Sequence, residues 1–240
     1  MINRGLIIFV LVLVTLSTSI FAVKNTSTHK FKKILIDDFE DADLTFNPSW
    51  WAFGNIEATS EINNSKEAKY LKRRSIKLRG IANNWYVGGV GTYLETIDGQ
   101  VGIDTRPFDH IKLLVRGNKE KAGTIIIELY DDDNGNLQIE PHPTYKSQTK
   151  FDDRFIYTLK VDWLGWKVVM IPFVDFVDDN KRFGDDIWNP YKEDGSGGLL
   201  QMQLILLGAT ETELSDIQID EIKIFKLPPP PPKKFDFDDF

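Results

Sequence analysis

Cysteine is absent from the 240 residues. That absence excludes disulfide bridges, thiolate-held zinc, iron–sulfur clusters, thiol nucleophiles and lipid attachment through Cys. Histidine is scarce: His29, His110 and His142 are the only three, and no two lie close enough in sequence to suggest a metal or catalytic helix. Basic charge is in deficit, with 29 Lys and Arg against 36 Asp and Glu and a formal charge of −7. This is the reverse of the basic face that a phosphate backbone selects, and it argues against a nucleic-acid partner. No G-x-S-x-G, H-E-x-x-H, Walker loop or helix-opening G-x-G-x-x-G occurs. Beyond the N-terminus no apolar run approaches the roughly 20 residues of a membrane span.

The 42% hydrophobic and 27% charged content is that of a folded domain, and aromatics reach 12% with six tryptophans. Both ends read as something other than fold. Residues 1–22 have the form of a secretory signal: Arg4, an apolar run from Leu6 to Leu16, then Ser17, Thr18 and Ser19, with Ala22 at the cleavage position. Residues 23–33 form a short N-terminal segment. An exported chain without cysteine suits a bacterial periplasm, envelope or secretome. At the other end, Pro228–Pro232 is a stiff polyproline spacer, followed by the acidic-aromatic stretch Phe235–Phe240. The tail 228–240 is expected to be disordered or to serve as a docking peptide for a protein partner.

Between 34 and 227 the pattern is β throughout, one domain of antiparallel sandwich or jelly-roll type. Nine short apolar or alternating runs recur: Ile34–Asp38, Ser75–Arg79, Gly88–Leu94, His110–Arg116, Gly123–Tyr130, Phe155–Lys160, Trp166–Pro172, Leu200–Leu207 and Ile217–Phe225. Turn residues such as Gly117-Asn118 and Gly195-Ser196-Gly197-Gly198 separate them. Alternation places Ile125, Ile127 and Leu129 on one face and Ile126, Glu128 and Tyr130 on the other. It likewise sets Gln201 and Gln203 opposite Leu200, Met202 and Leu204. The acidic run Asp131–Asn136 fails as an EF-hand, because no register places Gly sixth and Glu twelfth; Asn134-Gly135 reads instead as a hairpin turn. Gly88, Gly89 and Gly91 lie in a strand-rich stretch and suit close backbone packing.

Several segments occur in a characteristic order. Leu35-Ile-Asp-Asp-Phe-Glu40 and Trp50-Trp51 open the domain, followed by Trp85-Tyr86 with Gly88, Gly89 and Gly91. Trp166-Lys-Val-Val-Met-Ile-Pro-Phe173 with Phe176 comes next, and Ile219-Asp-Glu-Ile-Lys-Ile-Phe225 closes it. This order resembles the family 11 carbohydrate-binding modules and the wider galactose-binding-like jelly rolls. The resemblance implies a β-sandwich of about nine strands and a non-catalytic role in holding β-glucan or envelope polysaccharide. It implies a structural calcium where the first and last strands meet, with Glu40, Asp220 and Asp38 as ligands, which suits a cation that takes six to eight oxygens. Its cleft candidates are Tyr86, Glu128, Tyr130, Tyr157, Arg182, Trp188 and Gln203: aromatics to stack on pyranose rings, with carboxylate, amide and guanidinium groups to take hydroxyls. Where the cellulose-binding members place cleft tyrosines, this chain has Phe53, Leu78 and Gly208.

Two other readings compete. A structural cell-envelope or flagellar-sheath-type protein would use the sandwich for protein contacts. A glucanase would need two carboxyl groups at a fixed separation across a cleft, and no motif marks such a pair.

Overall fold

The computed structural model describes residues 32–63, 74–96, 98–120 and 122–228. The predicted signal, most of the N-terminal segment and the tail beyond Pro228 lie outside the described residues.

Twelve strands form among them: β1 (Lys33–Asp37), β2 (Trp51–Gly54), β3 (Glu57–Ile62), β4 (Arg74–Ile81), β5 (Tyr86–Tyr93), β6 (His110–Gly117), β7 (Gly123–Asp132), β8 (Asp153–Val161), β9 (Gly165–Pro172), β10 (Val177–Asp178), β11 (Gly198–Leu207) and β12 (Leu214–Phe225). A single 3-10 turn, Phe173–Asp175, joins β9 to β10. All nine expected runs are strands. The three additions are short or polar: β2 spans four residues, β10 two, and β3 reads Glu-Ala-Thr-Ser-Glu-Ile on a sheet edge.

The strands build two six-stranded antiparallel sheets. One runs β3-β4-β12-β6-β9, with β1 also on β12; the other runs β10-β8-β7-β11-β5-β2. In the first sheet β12 is shared along its length. Its first half pairs with β4 and its second half with β1, while β6 lies along the opposite side with a register break between Asp220 and Lys223. Glu221 takes a left-handed φ of 46° at that break, and the bulge redirects the strand from one partner to the other.

Between the sheets lies an aliphatic core. Ile76, Leu78, Leu113, Val115, Ile217 and Ile219 come from the first sheet; Ile125, Ile127, Leu129, Met202, Leu204 and Leu206 come from the second, all fully buried. This confirms the face assignment for β7, since its alternate residues enter the core. Leu78 is therefore a core residue and not a cleft position. The expected Asn-Gly turn is only part of a longer excursion. Gly135 is left-handed at φ 68°, yet β7 and β8 are joined by the whole segment 133–152.

Candidate functional site

The second sheet turns its other face outward, and cross-strand register specifies what stands there. The row through Gln203 carries Trp51, Gly91, Glu128 and Ile156. The next, through Ile205, carries Phe53, Gly89, Ile126 and Thr158. On the other side of the Gln203 row, Gln201 aligns with Tyr93, Tyr130 and Arg154.

Glycine makes half of this face flat. A Cβ on Gly91 would stand 2.5 Å from the Trp51 ring, and one on Gly89 would stand 2.6 Å from the Phe53 ring. Both rings therefore lie down on bare backbone, the close approach that only glycine permits. Tyr93 packs beside Trp51 with ring centroids 5.5 Å apart. Tyr86 continues the aromatic strip beside Gly54 and is 40% exposed, with Tyr93 38% exposed.

The other half is polar and tightly held. The Tyr130 hydroxyl donates to Glu128 Oε2 at 2.7 Å. Arg154 forms an ion pair with Asp179 at 2.5 Å and donates to the Ser147 carbonyl at 2.8 Å. Burial pushes the Glu128 carboxyl up, against the opposing pull of the Tyr130 hydroxyl and Arg154. Burial and the neighbouring Glu128 push the Tyr130 hydroxyl up as well, so it stays a neutral donor. Tyr86 is raised by burial and, across the face, by Glu128. At the end of the face a cleft of about 410 Å³ opens between Trp85, Thr124, Lys160, Leu207 and Gly208.

Tyr86, Glu128, Tyr130 and Gln203 thus belong to one surface. Tyr157 does not: it lies opposite Ile127 on the core side, with its ring 5.7 Å from Phe176. Trp188 also leaves the candidate set, because it packs edge-on to Phe155 at 5.0 Å and against Phe173 at 5.0 Å, closing the core. Arg182 is exposed in the loop after β10, where its backbone N–H donates to Asp186 Oδ1 at 2.9 Å. Trp51, Phe53, Tyr93, Arg154 and Gln201 share that surface; of these the sequence reading singled out Phe53, at a cleft position of the resembled modules, and Gln201, by alternation. The glycines at 89 and 91 were the sequence signal for the first two, since close packing at glycine requires something flat to fill the space.

The expected metal ligands sit where β1, β4 and β12 meet. Asp220 is fully buried with Oδ2 unpartnered. Burial, with Glu40, Glu221 and Asp38 nearby, pushes it up to about 7. The pairing of β1 with β12 thus draws the three carboxylates together as charges. Glu40 Oε1 accepts the Arg74 N–H at 2.8 Å and Asp220 Oδ1 accepts the Glu221 N–H at 2.7 Å. Among the described residues, the group whose ligand atoms do converge, all within 4.8 Å, is Asp133, Asp153 and Asp185.

No protein-family model matches the chain, and no curated protein matches it significantly. Solved structures do resemble it in outline. A family 11 carbohydrate-binding module from Clostridium thermocellum, in complex with a β-1,3-1,4-mixed-linked tetrasaccharide, aligns with TM-score 0.48 and 13% identity over 81% of this chain and 95% of that one. The family 11 module of the cellulosomal cellulase Lic26A-Cel5E of the same organism gives 0.48 and 14% over 82% and 95%. The CBM22-1 xylan-binding domain of Paenibacillus barcinonensis Xyn10C gives 0.44 and 14% over 81% and 97%. Likeness of this degree transfers no ligand.

Proposed function

We propose that the protein is a non-catalytic glycan-binding protein of the bacterial envelope or periplasm, or secreted, that seats a polysaccharide on the outward face of the second sheet. The observation behind this reading is the division of that face into two strips. Trp51 and Phe53 lie flat on Gly91 and Gly89 beside Tyr93, and next to them run Gln201, Gln203, Glu128, Tyr130 and Arg154. A pyranose ring has apolar C–H faces and a hydroxyl rim. Flat aromatics take the first, and fixed carboxylate, amide and guanidinium groups take the second, at about 1–3 kcal/mol for each buried group left unmatched. Within the polar strip Glu128, Tyr130 and Arg154 are already oriented by hydrogen bonds and an ion pair, which lowers the ordering cost of binding. Its two carboxylates are engaged, Glu128 by Tyr130 and Asp179 by Arg154, an arrangement suited to holding hydroxyls.

Affinity gel electrophoresis against soluble β-glucans and envelope polysaccharides tests this. The reading expects retardation by at least one, lost in Trp51→Ala; an unretarded protein across the whole panel would sink it. Release of reducing sugar from any of these glycans would favour a glucanase instead.

A second reading, a structural envelope protein, has one feature in its favour. Val168 and Met170 are 58% and 55% exposed on β9, the edge strand of the first sheet. It expects self-assembly or filament association that Val168→Lys with Met170→Lys abolishes. Among the described residues no helix is long and apolar enough to cross a membrane.

A further inference from the structure

Where β7 ends and β8 begins, the chain gathers carboxylates that no described Lys, Arg or His neutralises. Asp131 and Asp153 pair in register across the two strands, and both are fully buried. Asp133 follows β7 directly, and Asp185 arrives from the segment between β10 and β11. An acidic cluster by itself specifies no ligand; the orphaned oxygens are what distinguish this one. Asp131 Oδ1, Asp133 Oδ2, Asp153 Oδ1 and Asn189 Oδ1 are all buried without a hydrogen-bond partner.

Three of the four orphans belong to side chains held in place elsewhere. Asp153 Oδ2 accepts the Ile187 N–H at 3.1 Å, Asp131 Oδ2 accepts the Asn189 N–H at 3.2 Å, and Asn189 Nδ2 donates to Asp185 Oδ2 at 3.2 Å. The free oxygens are directed inward. A Cβ added to Gly184 would collide with both Asp153 Oδ1 and Asp133 Oδ2, so two orphans point at one small space. Arg154, the cation next in sequence, turns away to Asp179. Among the described residues no Lys, Arg or His comes within ion-pair distance of Asp131, Asp133, Asp153 or Asp185. A cleft of about 180 Å³ bordered by Asp133, Asp185, Asn189 and Tyr191 opens the cluster to solvent.

We propose that this cluster binds a hard divalent cation of calcium type, held by Asp133, Asp153 and Asp185, and that it joins the 185–189 segment to the ends of β7 and β8. The donors are all oxygen, with no imidazole or thiolate, which selects calcium-class ions over zinc. Water through the cleft completes a shell of six to eight.

Isothermal titration of the chelator-treated full chain with calcium chloride tests the site without reference to any glycan. One ion per chain is expected, with affinity weakened at least about tenfold in Asp133→Asn/Asp185→Asn and unchanged in Asp220→Asn. Asp185 is exposed, so Asp185→Asn alone serves if the double variant does not fold, with a loss of about fivefold or more. Absence of binding up to millimolar calcium would overturn the proposal. So would binding lost in Asp220→Asn but retained in the double variant.

Discussion

Two regions of the second sheet treat polar groups in opposite ways. On the outward face they are paired within the protein, Tyr130 to Glu128 and Arg154 to Asp179. At the strand ends, a residue or two away, Asp131, Asp133 and Asp153 each leave a buried oxygen unpartnered. A buried polar atom without a partner costs about 1–3 kcal/mol. The carboxylates of the face are therefore engaged within the protein, while the buried Arg154 Nε keeps no partner. The strand ends are incomplete until something positive enters. The proposed recognition surface and the proposed cation site thus differ in their satisfied oxygens, although both are rich in acids.

The largest expected effect belongs to the anchor. Calcium at about 100 times its dissociation constant is expected to stabilise the fold by about 2.7 kcal/mol, raising the melting temperature by about 5–10 °C. Trp51→Ala should show the same rise, measured by calorimetry with and without chelator. If the rise vanishes in that variant, the two regions are not independent.

Next is the glycine floor. Gly91→Val forces a side chain into the space of the Trp51 ring and is expected to cost about 1–3 kcal/mol while abolishing glycan retardation. Denaturant melts and affinity gels read the two consequences separately.

Trp51→Ala is expected to weaken glycan binding at least about tenfold, or about 1.4 kcal/mol, leaving calcium affinity untouched. Equal loss of both in titrations would erase the distinction drawn above.

The smallest effect concerns Glu128. Burial raises its carboxyl in the folded state above the ordinary 4.5, so its contribution to stability is full in acid. That contribution falls as pH climbs from about 4.5 towards the folded value. Glu128→Gln removes this slope, at most about 1.4 kcal/mol per pH unit. The variant should gain on the parent as pH rises through that window in urea melts.

Much of the frame was readable from alternation. Ile125, Ile127 and Leu129 had to share a face, and burial of that face sets the register of the whole strand. The junction of first and last strands was also foreseeable, because Asp38, Glu40 and Asp220 flank runs that pair. Three of the edge strands were not: β3 has no buried face to impose a pattern, and β2 and β10 are too short to carry one. Tyr157, on a strand, and Trp188, on the segment before β11, both turn to the core, and aromatic composition does not say which way a ring points. One residue of register separates a core tyrosine from an outward-facing one.

Local chemistry, repeated every second residue, is enough to define strands, their inward faces and the all-β class, because those depend on near neighbours in the chain. The two sites depend on distant ones. Trp51 meets Gly91 across a strand pairing, and Asp133, Asp153 and Asp185 meet only after β8 returns beside β7 and the segment before β11 folds over both. Burial then converts ordinary carboxylates into orphaned ones, and no spacing along the chain encodes burial.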